Sequence, residues 1–205
     1  DMSQYLEMML SAPVPQDADV QAALDLIRAW DMRATPDSTA TSLVVWTLQS
    51  LGFPKPEEIE PAPLAQALVE TVDTFKQAHG RVGVPWSDVN RLLRGDLDLV
   101  LGGGPDLLHA VYGEQLDDGR LQGRQGDSYV ALVTWDSSGD VHSRSIHQYG
   151  SATLDEASPH YADQAPLFTR RQLKPVWLDE ADIRAHLEQE YRPGEELGQG
   201  PWDSP

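Results

Sequence analysis

The sequence predicts an α+β chain: a helical N-terminal third followed by strands and a C-terminal helix. Three observations carry this reading. Apolar residues recur at helical spacing up to Gly80. Beyond Gly80 glycines become frequent and the apolar period shortens towards two. An acidic helical pattern then returns near residue 180. The expected organisation is a helical segment over 1–80, a strand-rich part over 81–192 and a loose tail over 193–205, rich in Gly, Pro and Glu.

The elements follow in order. In QDADVQAALDLIRAW (16–30), Val20, Ala23, Leu24, Ile27 and Trp30 form a core-facing stripe, with Asp17 or Asp19 placed to cap the helix start. DMRATPDS (31–38) breaks that helix, and STATSLVVWTLQSLG (38–52) makes a second one ending at Gly52. Its run Leu43-Val44-Val45-Trp46 is apolar all round, which predicts burial on several sides. FPKPEEIEPAP (53–63) holds too many prolines for a regular element and reads as a stiff surface connector. Leu64, Leu68, Val72 and Phe75 mark a third amphipathic helix, closed after His79 by Gly80 as C-cap.

In the second half, SYVALVTWD (128–136) is apolar on both faces: Tyr129, Ala131, Val133 and Trp135 on one, Val130 and Leu132 on the other. That pattern predicts a strand buried between two layers. Ser138-Gly139 is a turn signal and VHSRSIHQY (141–149) a more polar partner, so the pair reads as a β-hairpin. Val176-Trp177-Leu178 reads as a further short strand, and DEADIRAHLEQEY (179–191) as a helix with acidic residues in its first turn, where the dipole favours them. The glycine-rich half shows too few obvious strands to close a sheet by itself. A strand buried on both faces needs covering layers that this chain hardly supplies. The expectation is a part of a larger fold.

Composition narrows the function classes. With 205 residues, 40% of them hydrophobic, the chain is long enough for a sizeable core. A net charge of −18 argues against nucleic acid and anionic lipid as partners, since both select basic patches. No apolar run approaches the roughly 20 residues of a membrane helix. The absence of cysteine excludes disulfides, thiolate metal sites and a Cys nucleophile. Asp1 stands where an initiator Met would be, which predicts a processed or excised chain.

Several constellations could carry chemistry. Asp127-Ser128 in GDSYV echoes an esterase-type Gly-Asp-Ser motif, with Asp182 and His186 downstream, but Ser128 opens a predicted strand rather than a strand-to-helix turn. His142 and His147 are five apart on a strand and so point to opposite faces, and His109 and His160 could join them only through tertiary contacts, so no metal is expected. LGGGPD (101–106) lacks a following Lys and fits neither a phosphate loop nor a dinucleotide fingerprint; it reads as a turn needing backbone freedom. In so acidic a chain no carboxylate pair can be singled out for glycoside chemistry. SPHYADQ (158–164) concentrates an imidazole, a phenol, a carboxylate and an amide directly after Ser-Pro, a good N-cap and first-turn pair for a short helix or turn. Its polar groups read as a hydrogen-bonded structural knot in preference to a catalytic set, because clustered polar side chains can satisfy one another.

SPHYADQAPLFTRRQLKPVWLDEADI (158–183) resembles the C-terminal end of the penicillin acylase family, which includes penicillin G acylase and the acyl-homoserine lactone acylases. The family's SPHY-x-DQ is matched by Ser158, Pro159, His160, Tyr161, Asp163 and Gln164, followed by Phe168 and the Val176–Leu178 strand. GGGPDLLHAVYG (102–113), GDSYVALVTWD (126–136), the Tyr149-Gly150-Ser151 turn and ALDLIRAWDMR (23–33) also resemble the family in the same order, so the likeness runs from about residue 18 to 190. The resemblance implies part of a four-layer αββα sandwich of the N-terminal nucleophile (Ntn) hydrolases. It also implies a self-processed precursor, an N-terminal Ser whose own amino group acts as base, and export to the periplasm or the exterior. The family's nucleophile and oxyanion Asn lie upstream of the matched blocks, and neither Asp1 nor Ser3 fits them. The resemblance therefore implies an amide hydrolase that acts on a small N-acyl substrate together with an upstream polypeptide, with no catalytic residue, cofactor or metal on this chain. SPHYADQ is then scaffold. The alternative is a non-catalytic binding or structural module on the same scaffold.

Overall fold

The computed structural model describes residues 2–187 and 190. The expected tail over 193–205 lies outside the described residues. The described residues divide into two compact units, one of residues 2–130 and 146–172, the other of residues 131–145 and 173–187.

The first unit opens with helix α1 (Met2–Ser11), which the apolar pattern had not singled out, with Met9 fully buried. Helix α2 (Ala18–Arg28) is capped by Asp17, whose carboxylate accepts from the Asp19 and Val20 amides, and buries Val20, Ala23, Leu24 and Ile27 as the stripe predicts. Trp30 falls beyond the helix end. Helix α3 (Thr39–Ser50) is capped by the Ser38 hydroxyl. Every residue from Ala40 to Leu48 is buried, so the all-round apolar run does sit in the middle of the helical layer. The Thr47 and Thr71 hydroxyls meet inside that layer at 3.0 Å, and Thr71 also donates to the Ala67 carbonyl, which removes the cost of burying them.

The proline-rich connector is more regular than expected. Pro56–Glu58 forms a 3₁₀ turn, and Pro61 starts helix α4 (Pro61–His79). Proline has no N–H to lose and a φ already suited to the first turn, so prolines here start a helix instead of forbidding one. Gly80 ends α4 in the left-handed region with φ 70°, and its N–H returns to the Lys76 carbonyl. Leu64, Leu68, Val72 and Phe75 face the core, and Phe75 meets the edge of Trp46 at 5.4 Å between ring centroids.

After the one-turn helix α5 (Trp86–Val89), the strands are more numerous than the sequence pattern indicates. β1 (Asn90–Arg94), β2 (Leu97–Val100), β3 (Val111–Gln115) and β4 (Leu121–Gly126) make a sheet in the order β2-β1-β4-β3. The outer pairs are antiparallel and β1 runs parallel to β4. These strands are short, and Gly113, Gly123 and Gly126 interrupt the apolar alternation by which strands are recognised. The glycines are required by close packing: a Cβ at Gly123 would lie 2.5 Å from the Leu101 side chain, and one at Gly126 would lie 2.0 Å from the Ala110 carbonyl oxygen.

A second sheet has the order β5-β6-β7, with β5 (Tyr129–Trp135), β6 (Val141–His147) and β7 (Lys174–Val176). β5 and β6 are neighbours joined by a tight turn in which the Asp136 amide donates to the Asp140 carbonyl, as the hairpin reading requires. The expected burial of β5 between two layers is overturned. Tyr129, Leu132, Val133 and Trp135 are 53%, 57%, 45% and 67% exposed. An apolar sequence tells which residues favour burial, but burial also needs a covering layer, and β5 has none among the described residues. β7 stops at Val176, short of the expected Trp177 and Leu178. Helix α7 (Glu180–Ala185) follows, its start capped by Asp179 and its first turn acidic as expected, but it ends well before residue 191. Between β6 and β7 in sequence, helix α6 (Ala165–Thr169) belongs to the first unit and buries Ala165 and Phe168.

Candidate functional site

The SPHYADQ stretch is pinned from three directions. Ser158 caps a turn rather than a helix: its hydroxyl accepts from the His160 amide at 3.2 Å, and its carbonyl accepts from the Tyr161 amide. The His160 carbonyl then accepts from the Ala152 amide at 3.1 Å, and His160 Nδ1 lies 3.1 Å from Asp163 Oδ2. Gln164 is buried and bonds through both its main chain and its side chain. Its amide donates to the Tyr149 carbonyl at 2.8 Å, its side-chain oxygen accepts from the His147 amide at 3.0 Å, and its carbonyl starts α6 by accepting from Leu167 and Phe168.

Tyr149-Gly150 closes against this segment. A Cβ at Gly150 would fall 2.1 Å from the His160 carbonyl oxygen and 2.6 Å from Asp163 Oδ1, so only glycine permits the approach. Arg94, at the end of β1, completes the assembly. Its guanidinium lies 3.6 Å from the Tyr161 ring centroid and 4.6 Å from that of Tyr149. The same group donates to the Tyr161 carbonyl at 3.0 Å and to the Thr153 carbonyl at 2.9 Å. Tyr149 donates its hydroxyl to the Gly123 carbonyl, and burial pushes its phenol pKa up, opposed by the charges of Arg94 and Arg124.

The side chains that looked catalytic in the sequence are thus turned on one another and on the main chain. His160 faces Asp163, Tyr161 donates to Glu156 at 3.2 Å, and Gln164 bridges to β6. The His160 ring is engaged by the Asp163 carboxylate, and the Arg94 guanidinium is already committed to two carbonyls and two rings. What the arrangement does is fasten one polar loop to the ends of β1 and β6. Sequence reasoning missed Arg94, the centre of the assembly, because a lone arginine in NRLLR carries no local signal.

The other candidates are placed as follows. Ser128 is exposed and stands just ahead of β5, and its carbonyl accepts from the Gln148 amide. In the second unit His186 contacts the Asp182 main-chain carbonyl at 2.8 Å, not its carboxylate, and stacks on Trp177 at 4.0 Å, so Asp182 and His186 do not form an acid–base pair. His142 contacts Asp136 at the hairpin turn, where bonds from the Ser138 hydroxyl and His142 hold the Asp136 carboxyl well below the usual range. His147 packs on Tyr129. His109 pairs with Asp127 at 3.1 Å beside Phe168. Among the described residues no three acidic or histidine side chains converge as a metal site. The LGGGPD loop is a backbone-freedom element: Gly103 has φ 80°, a Cβ there would lie 2.3 Å from the His109 carbonyl oxygen, and the Gly103 carbonyl accepts from the Trp86 indole.

This is an α+β chain whose SPHYADQ segment is buttressed by an arginine and a glycine turn. The penicillin amidase family model matches residues 1–185, and the chain belongs to that family. It is 28% identical over 194 residues to acyl-homoserine lactone acylase PvdQ of Pseudomonas fluorescens Pf0-1, covering 82% of this chain and 25% of that protein. It is 30% identical over 130 residues to the protein of the same name from Pseudomonas fluorescens Pf-5, covering 60% of this chain and 16% of that one. The chain thus spans about a quarter of the length of the curated relatives it matches.

Proposed function

We propose that this chain is the C-terminal part of an amide hydrolase. The enzyme would cleave a small N-acyl substrate through an acyl-enzyme, and the nucleophile would be the N-terminal Ser of an upstream polypeptide. The family match over residues 1–185 carries the reading. In this chemistry the serine hydroxyl attacks the amide carbonyl while the serine's own amino group takes the proton, so neither metal nor cofactor is needed. This chain's part is structural: Arg94, Gly150 and the SPHYADQ residues fix the loop that follows β6 and leads into α6. The names of the relatives favour an acyl-homoserine lactone as substrate, with a penicillin-type side-chain amide as the other family option.

The exposed apolar residues of β5 support the same reading. A strand carrying Leu132, Val133 and Trp135 in the open is what a four-layer αββα sandwich would present before its remaining layers are added. Export to the periplasm or the exterior belongs to the proposal as well.

The test is an intact-mass spectrum of the purified sample under denaturing conditions, with N-terminal sequencing of each species. A companion polypeptide beginning with Ser, in equal amount, together with release of free homoserine lactone from an N-acyl-homoserine lactone, is the expected result. A stable, soluble chain that purifies alone and hydrolyses no amide would instead establish the non-catalytic module.

A further inference from the structure

A second site sits away from the SPHYADQ assembly. Ala34, Pro36, Val100, Thr169, Arg170 and Arg171 line an open cavity of about 380 Å³ in the first unit, within the size range of small-molecule pockets. The chain carries 33 acidic residues against 15 basic ones, yet no carboxylate lines this cavity and two arginines do. Among the described residues neither guanidinium has a carboxylate partner. Asp37, close by in sequence, is engaged by the Thr35 side chain, which also lines the cavity.

The backbone is arranged to present Arg171. It is the second residue after α6, just past the Arg170 C-cap, where the Arg171 amide returns to the Phe168 carbonyl and the Gln172 amide to the Leu167 carbonyl. Arg171 has φ 56°, a left-handed position that strains any side-chain-bearing residue and that glycine normally occupies at a helix end. An arginine that served only the helix dipole would be as useful one residue earlier, in Arg170's place, without that strain. Gly102 completes the presentation. A Cβ there would lie 3.3 Å from the Arg171 guanidinium, and its absence leaves the group room beside the loop.

We propose that this cavity binds a small carboxylate anion. The guanidinium groups of Arg170 and Arg171 take the carboxylate, for which their planar donor forks are matched. A short apolar tail lies against Ala34, Pro36 and Val100. The assignment is independent of the amide-hydrolase reading, because it rests on other residues and is read by binding rather than turnover.

The experiment uses the full chain as purified, with any co-purifying polypeptide retained. Its thermal unfolding is followed with hexanoate, acetate, inorganic phosphate and sodium chloride at matched ionic strength. Hexanoate at about five times its Kd should raise the Tm by about 2–4 °C, acetate and phosphate by less at the same concentration. Arg170→Gln and Arg171→Gln should each weaken hexanoate binding about tenfold or more, measured by calorimetry on variants with unchanged circular dichroism. Arg171→Gly separates a binding role from a structural one. It should raise the ligand-free Tm by about 2–4 °C, by relieving the left-handed strain, while removing the hexanoate response. The proposal is overturned if hexanoate has no effect, if phosphate matches it, if the arginine variants respond like the parent, or if Arg171→Gly lowers the ligand-free Tm.

Discussion

Helices α2 to α4 and the stretch from Ile146 to Gln172 are held in place by opposite means. The helices bury Ile27, Leu43, Leu68 and Phe75 completely, with the Thr47–Thr71 hydroxyl pair as a polar contact inside the layer. The later stretch buries few apolar side chains, Ile146, Ala165 and Phe168 among them, and is fixed by main-chain hydrogen bonds, a buried glutamine and an arginine stacked on two tyrosines. A helix satisfies its own backbone and can rely on side-chain packing. A loop cannot, so its carbonyls and amides must be met by side chains. That is why the most polar segment of this chain is structural.

The contrast can be broken first on the apolar side. Phe75→Ala removes a fully buried ring in edge contact with Trp46, and should cost about 3–5 kcal/mol in urea unfolding, the largest single effect expected here. Gly150→Ala tests the polar side. Its new Cβ would meet the His160 carbonyl at 2.1 Å, so the loop must shift and shed the bonds around His160 and Asp163, at a cost of about 1–3 kcal/mol. Crosspeaks of the helical core in an NMR spectrum should stay in place while those of residues 149–164 move. A uniform change across the chain would show that the two regions do not differ in the way described.

Arg94 sharpens the comparison. Arg94→Ala removes two hydrogen bonds to carbonyls and two ring contacts, with an expected loss of about 2 kcal/mol. Arg94→Lys should recover less than half of it, because an ammonium cannot span the Tyr161 and Thr153 carbonyls while lying flat between two rings. Full recovery by lysine would reduce the role of Arg94 to charge alone.

How much of this was legible follows from the same physics. The stripe Val20–Ala23–Leu24–Ile27, the all-round apolar run of α3 and the Gly80 cap were readable because helix packing repeats every few residues along the chain. The hairpin of β5 and β6 was readable from its turn. The strands β1 to β4 were not, since glycines at 113, 123 and 126 answer contacts with Leu121, Leu101 and Ala110 that no local pattern encodes. The exposure of β5 was misjudged because burial depends on what covers a strand. Within the SPHYADQ segment the knot was foreseeable from the density of polar groups, but its partners were not. Arg94 is 67 residues away from Tyr161 in sequence.

The smallest effect expected is a pH dependence confined to one phenol. Burial raises the pKa of Tyr149, so the folded chain holds that proton more tightly than the unfolded chain does. The stability linked to this shift is fully present below the ordinary tyrosine pKa of about 10 and is lost as the pH rises through the higher folded value. Tyr149→Phe should cost about 1 kcal/mol near neutral pH, from the lost bond to the Gly123 carbonyl. The gap between parent and variant should then narrow as the pH rises above about 10 towards the higher folded value, because the variant has no phenol at this position to ionise. Arg94 and Arg124 pull the Tyr149 pKa down, so Arg94→Ala should push the narrowing to still higher pH. A gap that stays constant across that range would mean that Tyr149 titrates alike in both states, and that its ring, not its hydroxyl, is what the polar loop requires.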